Sequence, residues 1–411
     1  MAEPLQFERR ALIFIFITVA LDAIGLGIII PVLPDLLKEV MQVNVSTAAW
    51  WGGLLTASYA VTQFIFGPLL GSLSDRFGRR PVLLLGLVFL CIDYLIMGFA
   101  NTIWWLLLGR LLAGAAGSTF VTANALIADV SPPDKRAANF GMIGAAFGLG
   151  FVLGPVIGGL LGEFGTRAPF FAAAFLAAAN FLFGYFVLSE TLTTENRRAF
   201  SWGKANPFAA LWMIKRFPAL GWIFLALFLF DTGHYVYPAV WAYWGQEVLS
   251  WSSFDIGLSL AAVGVGFAVV QGWLIRLVMP RFGETRTVLF SLAVTILSLV
   301  AFGFIDRTWL VYAVLPLTAL GAMLTPAITG ILSNAVAEDE QGVLQGVISG
   351  LAAIATIISP LMMTGLFYHF TSEASIRLPG APFLAAALLC LLAMAVFVLG
   401  VRAAGSVDNA R

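Results

Sequence analysis

The stretch Gly71-Ser72-Leu73-Ser74-Asp75-Arg76-Phe77-Gly78-Arg79-Arg80 gathers one acid and three arginines. The chain runs apolar on both sides, over 48–73 before it and 81–100 after it. Each run has the roughly 20 residues that a helix needs to cross the hydrocarbon of a bilayer. The charges therefore mark a short turn between two spanning helices, and Gly71 and Gly78 allow close approach and a tight bend there. Part of the stretch returns: Arg76-Phe77-Gly78 is repeated as Arg281-Phe282-Gly283, 205 residues further on. The same shift carries Gly52 to Gly257, Gly141 to Gly346 and Pro155 to Pro360. Each coincidence is weak alone, but one common shift of half the chain marks an internal repeat.

Outward from this loop the pattern continues. Twelve apolar segments can be read: 11–34, 48–73, 81–100, 103–127, 138–162, 168–189, 219–245, 254–279, 286–305, 308–333, 343–368 and 380–402. The composition agrees, since 60% of the 411 residues are apolar and 11% charged, against about a quarter charged in soluble domains. The expected fold is an all-α membrane protein, with twelve transmembrane helices in two parallel six-helix repeats. Residues 1–189 form the N-terminal bundle, 190–218 a cytoplasmic connector, and 219–411 the C-terminal bundle and a short tail. The connector holds Thr191, Thr193, Thr194, Glu195, Asn196, Arg197, Arg198 and the pair Asn206-Pro207. Within it, 208–216 reads either as a tether or as an interfacial helix, with Phe208, Leu211 and Trp212 opposite Lys215 and Arg216. Two parallel six-helix repeats are a transporter architecture.

Orientation follows from the basic residues. One set of loops, with both tails, holds most of the Lys and Arg, including Arg9, Arg10, Lys135, Arg136, Arg276 and Arg286. The opposite loops hold only Lys38, Arg167, Arg307 and Arg377, and Arg110 falls inside the fourth segment. Both termini are thus expected in the cytoplasm, in a bacterial inner membrane. The first segment follows two arginines as a signal peptide would. It is read as retained, because it is long, carries Asp22 and has no small-residue cleavage site after it. The formal net charge of zero gives no reason to expect a nucleic acid partner. Cys91 and Cys390 lie in apolar runs and offer neither a disulfide framework nor a metal spacing.

Charges at membrane depth are costly and are functional candidates by default. Asp22 lies mid-way along the first segment, ahead of Gly25 and Gly27. Asp93 lies in the third, and Arg110 in the fourth with Gly114 and Ser118 at four-residue steps. Asp231 and His234 share a face of the seventh at i and i+3. Buried structural ion pairs are one reading of this set. Proton binding is the other, because a carboxylate held away from water can take up and release a proton near neutrality. Tyr59, Gln63, Asn124, Tyr235, Tyr237, Trp241 and Gln271 suit the wall of a binding cavity, though aromatics on such helices also serve as core or face lipid. Gly150, Gly154 and Gly158, with Gly159 and Pro155, make a smooth stripe and a kink in the fifth segment.

The 71–80 loop resembles the signature loop of the major facilitator superfamily. Leu21-Asp22-Ala23-Ile24-Gly25-Leu26-Gly27 and Pro31-Val32-Leu33-Pro34 resemble the first helix of the tetracycline/proton antiporters within it. The glycine pattern around Pro155 resembles the antiporter motif of the drug-efflux branch. The resemblance implies a cytoplasmic latch built from Gly71, Asp75, Arg76, Gly78, Arg79, Arg80 and Asp129, with Arg79 pairing Asp129 and Asp75 facing the start of the eleventh helix. It also implies charged residues at work at Asp22, Asp93 and Arg110. Those antiporters use a histidine in the eighth helix and an aspartate in the ninth, where this chain has Phe267 and Thr295. Asp231 and His234 are candidates to supply that second titration. In the second half Glu284 stands where Arg79 stands in the first, and no acid matches Asp75.

The expected function is proton-coupled export of amphipathic, largely apolar small molecules, tetracycline-like drugs among them, by a monomer. No cofactor is expected beyond the proton gradient. Uptake of a metabolite or lipid-like compound remains open. More remote alternatives are an intramembrane enzyme using Asp22 and Asp93 as a catalytic pair, and a non-transporting sensor. No enzyme signature appears in the sequence.

Overall fold

In a bilayer the backbone has no water to bond to, so long apolar segments satisfy it internally as helices. The computed structural model describes residues 2–117, 119–132, 135–193, 195, 197–200, 203, 206–372 and 376–408. Every regular element among them is helical. The first half contains α1 (Ala2–Met41), α2 (Val45–Phe77), α3 (Arg79–Phe99), α4 (Ile103–Ala116), α5 (Thr119–Val130), α6 (Arg136–Gly162) and α7 (Ala168–Val187). Next come α8 (Ala209–Trp212), α9 (Gly221–His234), α10 (Val236–Leu249), α11 (Ser253–Val269) and α12 (Ile275–Phe282). The chain ends with α13 (Glu284–Phe304), α14 (Thr308–Gly321), α15 (Leu324–Asn334), α16 (Gln341–Ser372) and α17 (Ala381–Asp408).

Among the described residues, eleven helices are long and apolar enough to cross a membrane. The fourth expected segment differs, being split into α4 and α5 after Gly117. Gly117 leaves helical geometry (φ −70°, ψ 36°) and its N–H bonds back to Gly114. The Gln63 amide donates to the Gly117 carbonyl at 3.1 Å, so the side chain satisfies backbone that the break sets free. Ser118 lies outside the described residues, as do Thr194 and Asn196 of the connector. The seventh segment divides at Tyr235 because Pro238 supplies no N–H to the preceding turn. A π-helical turn, Val270–Leu274, interrupts the eighth between α11 and α12 and contains Gln271. In contrast, α6 runs through Pro155 without a break.

The repeat is visible in the backbone. Gly78 separates α2 from α3 at φ 109°, and Gly283 separates α12 from α13 at φ 75°. Both are left-handed positions that favour glycine, and they are related by the shift of 205.

The chain divides into two compact units. One holds residues 1–43, 58–207 and 252–261; the other holds 44–57, 208–251 and 262–411. In the first, α6 lies along α1. A Cβ on Gly154 would stand 2.6 Å from the Ile24 carbonyl oxygen, and one on Gly158 would stand 2.8 Å from Ile28 Cα. Gly150 faces Ala23 and Gly162 faces Val32, while Gly27 returns the contact against Pro155. The stripe is thus the seat of α1. Gly159 points elsewhere, onto Ser253 and Phe254 at the start of α11. The Ser253 hydroxyl bonds the Pro31 carbonyl at 3.0 Å and Asp35 at 2.8 Å.

In the second unit the start of α2 packs in the corresponding way, with Gly52 against Tyr243 of α10 and Gly53 against Pro360 and Thr364 of α16. The connector ends in α8 and a 3-10 turn, Met213–Arg216. Phe208 and Trp212 are exposed there. Lys215 lies over the Trp212 ring at 5.3 Å rather than on the opposite side.

Candidate functional site

The 71–80 stretch is mostly helix. Gly71 through Phe77 complete α2, Gly78 is the whole link, and Arg79 opens α3. This short link turns the Arg79 side chain back along α2. Its guanidinium bonds Ser74 Oγ at 2.7 Å and Asp75 at 2.5 Å, and its Nε bonds Asp129 at the end of α5 at 3.0 Å. Arg79 is nearly buried, so these bonds offset the cost of desolvating its charge. Asp75 thus faces Arg79, and its backbone carbonyl accepts the N–H of Arg198 from the connector at 3.0 Å. Arg80 reaches the Tyr185 carbonyl at 2.6 Å and lies over the Tyr185 ring at 5.5 Å. Arg76 lies over Phe77 at 5.1 Å.

Sequence reading missed the anchor of this assembly. Glu190, in the segment taken as connector, accepts from the backbone N–H groups of Arg79 at 2.9 Å and Arg80 at 3.3 Å. It also accepts from Thr191 at 3.1 Å and Leu192 at 3.0 Å. A carboxylate there satisfies the orphan donors at the start of α3 and meets the positive end of its dipole. An acid directly after a spanning segment, on the side that carries the arginines, was the signal that could have found it. In the second unit Glu284 and Asn334 stand at the positions of Arg79 and Asp129 and keep a contact, Asn334 Nδ2 to Glu284 at 3.2 Å. The second copy therefore has an amide–carboxylate hydrogen bond where the first has an ion pair.

At membrane depth in the first unit, Asp93 of α3 and Arg110 of α4 are directly paired. Asp93 is 0% exposed and Arg110 8%. Gly109 makes the room, because a Cβ there would stand 2.6 Å from the Asp93 carboxylate. Gly114, four residues from Arg110, instead admits the Tyr59 backbone and the Thr62 hydroxyl of α2. The Arg110 guanidinium lies 5.7 Å from the centre of the Tyr59 ring, and Gln63 donates to the Tyr59 hydroxyl at 3.3 Å. Asp22, half-buried on α1, completes the group: Asp22, Asp93 and Arg110 all act electrostatically on both Tyr59 and Tyr94. The structure thus brings together Asp22, Tyr59, Gln63, Asp93 and Arg110. Asn124 is half-buried on α5.

The candidates of the second unit separate into two sets. His234 lies among aromatic rings, stacked on Phe230 at 5.2 Å, edge-on to Tyr237 at 5.3 Å, and 6.4 Å from Phe267. A histidine from α9 therefore stands beside the α11 position where the resemblance called for one. Asp231 is one turn earlier, and Tyr235 follows it; both are half-buried. The Tyr237 hydroxyl meets Ser298 of α13 at 3.4 Å, one turn beyond Thr295. Trp241 is a core residue, 1% exposed and surrounded by Trp244, Trp251, Phe302 and Phe383. Gln271 is exposed in the π-helical turn.

Known proteins resemble the chain along nearly its whole length. The family model described as Major Facilitator Superfamily matches residues 15–305 and 223–410. The class C tetracycline resistance protein of Escherichia coli is 39% identical over 88% of this chain and 90% of that protein. The class G protein of Vibrio anguillarum is 38% identical over 87% and 91%. The quinolone resistance protein NorA of Staphylococcus aureus is 28% identical over 87% and 90%. Among solved structures, the nucleoside transporter NupG has a TM-score of 0.76 at 14% identity, covering 96% of this chain and 98% of that one. The human organic anion transporter MFSD10 has a TM-score of 0.68 at 23% identity, covering 95% and 99%. These relatives are transporters and not enzymes, and the chain is a multi-pass integral membrane protein that belongs to the Major Facilitator Superfamily, alongside the tetracycline resistance proteins.

Proposed function

We propose that the protein exports amphipathic, largely apolar drugs from the bacterial cytoplasm in exchange for protons, with tetracyclines among its substrates. The observation that carries this reading is the buried pair of Asp93 and Arg110, with the half-buried Asp22 and Tyr59, within one compact unit. Membrane-buried charge is expensive and is kept where it works. A carboxylate there serves both ligands of an antiporter in turn: ionised it attracts a cationic or zwitterionic drug, and protonated it releases it. Relatives named for tetracycline and quinolone resistance support a drug as the cargo. Asp231 and His234 form the second titrating group, a role supported by the packing of His234 on Phe267. Arg79, with Asp75 and Asp129, is the latch of the cytoplasmic face. Both termini lie in the cytoplasm and the protein works as a monomer.

Proteoliposomes with an imposed pH gradient test the reading. A tetracycline or a quinolone should accumulate against its own gradient when protons flow the other way, and collapse of the pH gradient should stop it. Drug flux that ignores the pH gradient would refute proton coupling; flux in the same direction as the protons would refute antiport.

A further inference from the structure

A small cavity lies between α1, α3 and α7, with about 10 Å³ of space for the centre of a water molecule. Leucine and alanine line most of it, but Asp22, Tyr94 and Asn180 also reach it. Asn180 is 2% exposed and Tyr94 1%. Neither the Asn180 Nδ2 nor the Tyr94 hydroxyl has a protein partner. The Asn180 carbonyl oxygen is already engaged by the Thr18 hydroxyl at 3.2 Å, which leaves its NH2 group for the cavity. Gly25 brings the Tyr94 hydroxyl this close, since a Cβ there would collide with it. The hydroxyl therefore meets α1 one turn beyond Asp22. Apolar cavities of this size stay dry, but one with two to four polar partners holds water. Each buried donor left unmade would otherwise cost about 1–3 kcal/mol.

We propose that this cavity is a hydration site for Asp22, in which Tyr94 and Asn180 are positioning residues that hold a single water against the carboxylate. The proposal rests on the reading of Asp22 as a proton-binding group. One water fits both forms of the acid. With Asp22 ionised, the water accepts from Asn180 Nδ2 and donates to the carboxylate. With Asp22 protonated, the acid O–H donates to the water, which turns its hydrogen onto the Tyr94 oxygen. A hydroxyl both donates and accepts, whereas the amide NH2 only donates. The pair thus supplies one fixed and one reversible partner. Exchange of an excess proton leaves the water in place: a hydronium in the cavity gives one proton to the carboxylate and remains as that water. Asp22 acts electrostatically on Tyr59 and Tyr94, and Asp93 and Arg110 act on the same two tyrosines. The stretch of α6 packed on α1 carries no charged or titratable group.

Infrared titration of the full chain in nanodiscs tests this, with the carboxyl band assigned by its loss in Asp22→Asn. In the wild-type protein the band should titrate, together with a band from a weakly bonded water. Tyr94→Phe keeps the ring and removes only the hydroxyl; Asn180→Leu fills the cavity. Asn180→Leu should abolish the water band and move the midpoint of the Asp22 titration by about one pH unit towards alkaline values, because the lost water donated to the carboxylate. That is the size of one lost hydrogen bond to a charged group. Tyr94→Phe, in contrast, should change the water band of the protonated form alone and move the midpoint towards acid values. Pairing either variant with Asp22→Asn should add no further change to pH-driven flux. An unchanged midpoint and an unchanged water band in Tyr94→Phe would overturn the hydration site and leave Asp22 as the titrating group. A wild-type protein whose Asp22 band does not titrate would overturn the proton reading itself, and this inference with it.

Discussion

Asp93 and Arg110 form a pair whose members cannot be changed one at a time. Both lie away from water, so removing the acid strands a buried cation, at a cost of about 3–5 kcal/mol. Asp93→Asn should therefore reduce the thermal stability of purified protein as well as flux, and Arg110→Gln in the same chain should restore part of the stability but not the flux. Equal stability of the single and double variants would mean that the pair does not hold the fold. Asp22 is different in burial, being half-buried beside a cavity where Asp93 is wholly buried. Asp22→Asn should leave folding intact and abolish pH-driven accumulation, while downhill exchange of unlabelled for labelled drug continues. Full accumulation in that variant would move the coupling site to Asp231 and His234.

Two helix contacts can be tested at the scale of elements. Glu190 satisfies the N–H groups of Arg79 and Arg80 at the start of α3, and the same turn directs the Arg79 side chain to Asp75 and Asp129. Glu190→Gln should cost about 1–3 kcal/mol of stability. It should also widen the spin-label distance between the ends of α3 and α5. If the distance stays fixed, Arg79 is held by its own ion pairs alone. Along the glycine stripe, a side chain at Gly158 would meet the α1 backbone at Ile28. Backbone cannot move aside as the end of a flexible side chain can, so Gly158→Leu should cost more than the about 1–3 kcal/mol typical of overpacking. Gly144, which has no neighbour within 4 Å, should accept Leu with little loss. Thermal unfolding of the two variants in detergent checks the contrast.

At the scale of the whole molecule, the placement of the basic residues sets a topology that labelling can check. In a chain freed of Cys91 and Cys390, a cysteine at Arg307 or Arg377 should react with an impermeant maleimide in intact cells, and one at Arg198 only after the membrane is opened. All three side chains are exposed, so burial would not explain a silent site. Labelling of Arg198→Cys from outside would invert the orientation.

The sequence by itself determined the membrane class, the approximate place of most segments, and the repeat, because each rests on local hydropathy or on residue identity at a constant shift. The first segment runs on to Met41, seven residues past its expected end at 34. The sequence also singled out Asp22, Asp93 and Arg110 as candidates, since charge in an apolar run stands out against its neighbours, and Arg79 through the charged loop that holds it. The tertiary structure decided what those residues touch. Arg110 could have paired with either acid in the first half, and only the packing of Gly109 against Asp93 selects the partner. Glu190 looked like one polar residue of a tether until α7 delivered it to the start of α3. Gln63 and Trp241 looked like cavity residues. One mends the backbone at Gly117 and the other fills a core. Gly159, Gly257, Gly52 and Gly53 show the same limit at longer range. Their local pattern promises close packing, but which helix arrives depends on contacts between segments far apart in the chain. Burial, pairing and capping are properties of such long-range contacts, and no local pattern in the sequence encodes them.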